Sequence, residues 1–271
     1  MHSRDLIEQY KSYVQDWRRY FHKHPELSNE EFETTKTLAK ELESMGVEVH
    51  VDTERGIGLI GIIHGGKPGK AIALRADIDA LPVHEHNTVD YKSETEGKMH
   101  ACGHDGHMAI LLGAAKMLMS MKDRIEGDVY LAFQPAEETG AGAPDFIKFG
   151  DWYDKVDAIF GGHVWIDLPA GLISVEEGPR MAASSQITIN VKGKQGHGAQ
   201  PHQAIDAIVV ASAIVMNLQT VVSRNVSALD SLVLTIGNIH SGSEWNVIPG
   251  EAKMGGTIRF FDPDQEEYYV E

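Results

Sequence analysis

Asp128-Val-Tyr-Leu-Ala-Phe133, followed at once by Gln134-Pro-Ala-Glu137-Glu138-Thr-Gly140, is the stretch whose reading decides the fold. An apolar run of strand length opens directly into a polar, glycine-bearing turn with two adjacent carboxylates. The same arrangement recurs where the apolar run 71–76 leads into Arg75-Ala-Asp77-Ile-Asp79-Ala-Leu-Pro82. It recurs again where 156–160 leads into Gly161-Gly-His163-Val164. A fourth polar segment, His100-Ala-Cys102-Gly-His104-Asp-Gly-His107, runs into a helical pattern reaching Met121. Ligands of α/β sheets bind at the carboxyl ends of strands, so these four segments predict one site on one rim.

Further out, Leu6, Tyr10, Tyr13, Val14, Trp17 and Phe21 recur at helical spacing and stop before Pro25. Ser28 with Glu31 reads as a capping box for a second stripe from Phe32 to Met45, closed by Gly46. Strands are predicted over 47–51 and 58–63. Helices alternating with apolar strands predict an α/β domain with a mostly parallel sheet flanked by helices. After Gly178-Pro179 the pattern changes to an alternating strand over 185–191, a long helix over 204–222 and strands over 232–239 and 253–261. That is an α+β unit, with a hinge at 178–180 dividing a domain 1–179 from a domain 180–271. Asp262-Pro263-Asp264 then reads as the start of another helix, which the chain does not complete.

The chain has 271 residues, room for about two ordinary domains. Forty acidic against 24 basic residues leave a net charge of −16, the wrong sign for a nucleic-acid or anionic-membrane binder. No window comes near the roughly 18 consecutive apolar residues of a membrane span, and the start has no secretory signal pattern. The single cysteine, Cys102, has no internal disulfide partner, which suits a cytoplasmic location. Gly61 to Lys67 superficially matches a phosphate loop, but Pro68 stands where Ser or Thr is needed.

Cys102 and His104, two residues apart around a glycine and ahead of a helix, can converge on one cation. The helix N-terminus would favour the thiolate. The alternative is a buried structural cysteine beside a surface histidine. Glu137 and Glu138, at a strand's end, point to opposite sides, so one could ligate while the other handles a proton; otherwise they form a solvated acidic turn. Asp77 and Asp79 share a strand face and suit the orientation of a ligating histidine, or they cap the turn. His163, at a glycine-rich strand exit, is a ligand position or a satisfied loop residue.

Taken in order, RADIDALP, MHACGHDGH, QPAEETGAG, GGHV, GKQGHGAQPH, WNVIPG and GTIRFFD resemble the bacterial and plant N-acyl-amino-acid amidohydrolases. That family includes aminoacylases, hippurate hydrolases, indoleacetyl-amino-acid hydrolases and N-acetyl-diaminopimelate deacetylases. The resemblance runs from Trp17 to Asp262. It implies a metallopeptidase-like α/β domain with an inserted α+β lid that forms a homodimer. It also implies two divalent metal ions per subunit, manganese or zinc, with cobalt and nickel as alternatives.

By position the resemblance makes Cys102, His104, Glu138 and His163 metal ligands, with Cys102 bridging. Glu137 becomes the general base of a metal-bridging hydroxide, and Asp79 sits behind a ligand. Asp77 stands where related peptidases place a ligating histidine. His197 matches a lid histidine that reaches the partner subunit's active site, and Asn246 and Arg259 match lid positions facing the substrate, a small N-acyl amino acid. Family members run on by roughly another hundred residues and supply a last histidine ligand, so a truncated form is the expectation. The alternatives are a non-catalytic, metal-binding and dimerising fragment, and a cysteine hydrolase with Cys102 as nucleophile.

Overall fold

β4 (Asp128–Gln134) is buried along almost its whole length because helices cover both faces of its sheet. Alternate residues serve opposite layers: Val129, Leu131 and Phe133 face one core, Tyr130 and Ala132 the other. In the computed structural model, which describes residues 3–262, the chain divides into two compact units, Met1–Leu172 and Ile173–Glu271. That division falls ahead of the 178–180 hinge read from the sequence.

In the first unit the strands β1 (Glu48–Val51), β2 (Leu59–His64), β3 (Ile72–Asp77), β4 and β5 (Ala158–Gly161) pair in the order β1-β2-β4-β3-β5. Only β4, β3 and β5 run parallel, while β1–β2 and β2–β4 are antiparallel. The sheet is therefore mixed, and the mostly parallel expectation holds for its β4-β3-β5 half alone. The periodic patterns cannot reveal this, because strand direction is set by pairing. The helices α1 (Ser3–Lys23), α2 (Phe32–Ser44) and α3 (His104–Met119) supply Phe21, Leu38, Leu42, Met108 and Leu112 to one face. The short α4 (Gly142–Phe146) and α5 (Trp152–Lys155) bring Phe146 and Trp152 to the other.

The capping box is not formed. Glu31 is the N-cap of α2 without a side-chain cap bond, because tertiary partners take both side chains. Ser28 donates to Asp79 Oδ2 at 2.7 Å, and Glu31 Oε1 accepts the Ala136 N–H at 2.7 Å.

The second unit holds a three-stranded antiparallel sheet, β6 (Ala183–Lys192), β10 (Glu251–Phe260) and β8 (Leu232–Ser241), in the order β6-β10-β8. A small ribbon of β7 (Gly196–His197) and β9 (Val247–Ile248) lies outside the sequence reading. The helix α6 (Ala207–Thr220) starts three residues later than read, because the Asp206 side chain accepts from the Ile208 and Val209 N–H groups. Ala207 and Ala211 pack with Val191, Ala252 and Met254. With the turn 221–225, α6 makes a 19-residue helical stretch of mean hydropathy 1.5, long and apolar enough on those grounds to cross a membrane. The stretch is interrupted by Ser212, Asn217, Gln219, Thr220, Ser223 and Arg224, so it holds no 18 consecutive apolar residues, and only 11% of it is buried. Of the helix read from Asp262 onward, residues 263–271 lie outside the described residues.

Candidate metal centre

The parallel pairing sets the site. Asp77 is level with Gln134, and Arg75 with Gly161, so the chain exits after β3, β4 and β5 open side by side. The turn before α3 joins them through Gly103, whose φ of +90° is open to glycine at little cost. A Cβ at Gly103 would also stand 2.4 Å from Val164 Cγ2.

On this rim Cys102 Sγ lies 3.5 Å from His163 Nε2. His104 is fully buried, and its Nδ1 donates to the Asp79 carbonyl oxygen at 2.8 Å. The opposite nitrogen, Nε2, faces Glu138 Oε1 at 3.8 Å, Glu137 Oε2 at 4.0 Å and Asp77 Oδ2 at 3.6 Å. Neither His104 Nε2 nor Glu138 Oε1 has a hydrogen-bond partner, although both are buried. Unpartnered buried polar atoms are costly, and these converge with spacing suited to a cation between them. One atom each from Cys102, His104 and His163 lies within 4.8 Å of the others, and the same holds for His104, Glu137 and Glu138. Thiol, imidazole and carboxylate form a donor set suited to divalent transition metals, so these residues fit such ions.

The electrostatics agree. Burial, then the hydrogen bond and charge of Glu138, push the Cys102 thiol up to about 12. Burial and the neighbouring carboxylates thus oppose the thiolate that the helix N-terminus favours, and a bound cation would draw the proton off. Burial opposes the charged form of His104, but Asp79 and Asp77 prevail and raise it. Burial, joined by Glu138 and Asp77, raises Glu137 against the pull of His104.

Glu137 and Glu138 do not diverge on opposite sides of a strand. They sit in the turn after β4, both directed at His104 Nε2, because Ala136 adopts φ +53° and swings the chain over. That backbone position, strained by roughly 1–3 kcal/mol, is held by Glu31 on its N–H and by Thr139 and Gly142 on its carbonyl. Asp79 supports both sides, receiving Ser28 Oγ and the Glu138 N–H on Oδ2. Asp77 lies close enough to His104 and His107 to share a cation with them, but its two oxygens already accept from Arg75 Nη1 and His107 Nδ1 at 2.7 and 2.6 Å.

In the second unit His197 is paired with Val247 across the β7–β9 ribbon, and the Gly198 N–H bonds the Asn246 carbonyl. His197 and Asn246 are therefore neighbours. Arg259 stands on β10, exposed and opposite Ser184. Glu31, Arg75 and His107 are parts of the rim to which the sequence reading gives no site role. Glu31 fits a capping pattern there, and nothing local marks the other two as partners of Asp77.

Fold and donor set together define a chain that can hold divalent cations at the rim of an α/β sheet. Residues 73–262 match Peptidase family M20/M25/M40, and the chain belongs to that family. It is 47% identical to an N-acetyl-L-cysteine deacetylase of Bacillus subtilis over 91% of this chain and 59% of that protein. It is 42% identical to an N-acyl-L-amino acid amidohydrolase of Geobacillus stearothermophilus, over 95% and 69%. Among solved structures, a Bacillus subtilis protein described as a dinuclear metal binding peptidase of the M20 family matches with a TM-score of 0.79 and 38% identity. That match covers 96% of this chain and 67% of the other. The chain thus spans about three-fifths to two-thirds of the length of these relatives.

Proposed function

We propose that this protein hydrolyses the amide bond of N-acyl amino acids with two divalent cations, manganese or zinc, held by Cys102, His104, Glu138 and His163. The observation that carries the reading is the pair of orphaned atoms, His104 Nε2 and Glu138 Oε1, beside the Cys102–His163 contact. When bound, the cations polarise the amide carbonyl and lower the pKa of water from about 15.7 towards 7.

The chain's own groups then divide the proton work. Glu137 is the more open of the two carboxylates, at 42% against 20% side-chain exposure. Its raised pKa suits a group that takes a proton from the attacking water and hands it to the leaving amine nitrogen. Asp79 fixes the tautomer face of His104 and the backbone of Glu138. His197 Nδ1 accepts the Ala199 N–H, which leaves Nε2 to carry the proton. That nitrogen is our candidate donor to the tetrahedral oxyanion, a role whose loss typically costs about 10² to 10³. Asn246 and Arg259 are candidate substrate contacts, the guanidinium for the amino-acid carboxylate.

A homodimer formed through the second unit accompanies this reading. Ile208, Val209 and Met216 on α6 are 46%, 62% and 71% exposed, a face suited to a second copy. A reducing, cytoplasmic location suits a lone thiol used as a ligand. A cysteine-nucleophile mechanism is disfavoured, because it leaves the convergence of Glu137 and Glu138 on His104 without a role.

Incubating the manganese-loaded protein with N-acetyl, N-benzoyl and N-indoleacetyl amino acids, and following amine release, tests the activity. No release from any of them defeats the proposal. Mixing His197→Ala and Glu137→Gln subunits tests the trans role: recovered activity supports it, and none means that His197 does not act across subunits.

A further inference from the structure

Three histidines crowd the rim besides His100: His104, His107 and His163, with ring centroids 4.6 to 6.1 Å apart. Donor distances alone allow Asp77, His104 and His107 to form a third cation-holding group. Hydrogen bonding separates them. Both His107 nitrogens are used: Nδ1 donates to Asp77 Oδ1 at 2.6 Å, and Nε2 accepts the Val164 backbone N–H at 3.0 Å. An acceptor Nε2 carries no proton, so His107 holds its single ring proton on Nδ1. Arg75 takes the remaining Asp77 oxygen at 2.7 Å and is itself anchored on Gln134 Oε1 at 3.0 Å.

The chain of contacts Arg75, Asp77, His107, Val164 ends on the residue after His163. Val164 is locked twice, by that hydrogen bond and by its side chain lying where a Cβ of Gly103 would be. Gly103 is the residue between Cys102 and His104. The strand exit carrying His163 is therefore clamped against the turn carrying Cys102 and His104.

We infer that His107 is a positioning residue, not a ligand: with Asp77 it braces the Val164 backbone so that His163 Nε2 stays opposite Cys102 Sγ. This rests on the cation reading of the rim. Partners that orient ligands typically contribute about 10–100-fold in metal affinity.

The test uses cobalt(II) binding to the protein and to two variants, with folding checked by circular dichroism. His107→Phe keeps the ring's bulk and removes both hydrogen bonds. It should weaken cobalt binding about 10–100-fold, while the cobalt spectrum at saturation, including its thiolate charge-transfer band, stays that of the parent. His107→Gln restores an acceptor for the Val164 N–H and should recover most of the lost affinity. A changed saturated spectrum or a lost equivalent of cobalt would make His107 a ligand and overturn the inference. Unchanged affinity in His107→Phe would leave it a packing residue only and overturn the inference as well. Absence of cobalt uptake by the parent protein would instead remove the cation reading, and the brace with it. Should His107→Phe not fold, the imidazole ¹⁵N spectrum of the parent decides: a protonated Nδ1 with a bare, Val164-bonded Nε2 supports the brace, and the opposite tautomer refutes it.

Discussion

Two histidine–carboxylate clusters lie within a few residues of each other at the start of α3, and they differ in one respect. In the inner one, His22 is 3% exposed and sits between Asp105 Oδ2 at 2.7 Å and Glu85 Oε1 at 3.1 Å, with Arg18 Nε on Asp105 at 2.9 Å. Every His22 nitrogen has a partner. At the rim, His104 Nε2 and Glu138 Oε1 have none. The same residue types thus build a closed ion-pair network in one place and an open donor set in the other. What marks the rim as a binding site is that several leftover donor atoms converge on one point. His100, buried with both ring nitrogens unpartnered, shows the other way out: burial pulls it down to about 4, so it stays neutral at ordinary pH.

The sharpest way to break this contrast is chelation. Stripping cations should abolish amide hydrolysis, and manganese or zinc should restore it; activity that survives a chelator would put the rim in the same class as the inner cluster. Next in size is Glu137→Gln, which should retain bound metal and lower kcat by about 10² to 10⁴. Near-parental turnover in a metal-loaded variant removes Glu137 from proton transfer.

The inner cluster should answer in stability instead. His22→Leu removes one partner from each of Asp105 and Glu85, which keep Arg18 and the Asn87 and Ser93 donors respectively, a loss of about 1–3 kcal/mol in urea unfolding. An unchanged midpoint would mean that the network contributes nothing. Smallest is a pH effect at Glu31, whose burial raises it from 4.5 to about 7. A carboxyl with a raised folded value favours the folded state at low pH, and that contribution fades as pH climbs from about 4.5 through 7. Glu31→Gln, neutral throughout, should flatten this part of the stability profile, and an unaltered slope assigns it to other groups.

Much of the first unit was legible locally. The strand and helix runs are set by side-chain periodicity, and the four polar exits follow from where those runs end. Cys102, His104, Glu137, Glu138 and His163 do meet on one rim, because each stands at an element's end and the parallel half of the sheet aligns those ends. Legibility failed where a side chain had two possible partners. Ser28 and Glu31 satisfy a capping pattern by spacing, yet Asp79 and Ala136, far along the chain, displace the helix terminus as their partners. The β7–β9 ribbon escaped for a related reason: two-residue strands have no period to read.

The sequence by itself determined which residues could do chemistry here and at which strand exits they stand, since periodicity and turn composition act over a few residues. Only the tertiary structure decided which of them are spent and which are free. Asp77 and His107 satisfy each other, whereas His104 Nε2 and Glu138 Oε1 remain unpaired, and that allocation depends on contacts between segments dozens of residues apart. Hydrogen-bond partners are assigned by three-dimensional proximity, which no local pattern encodes.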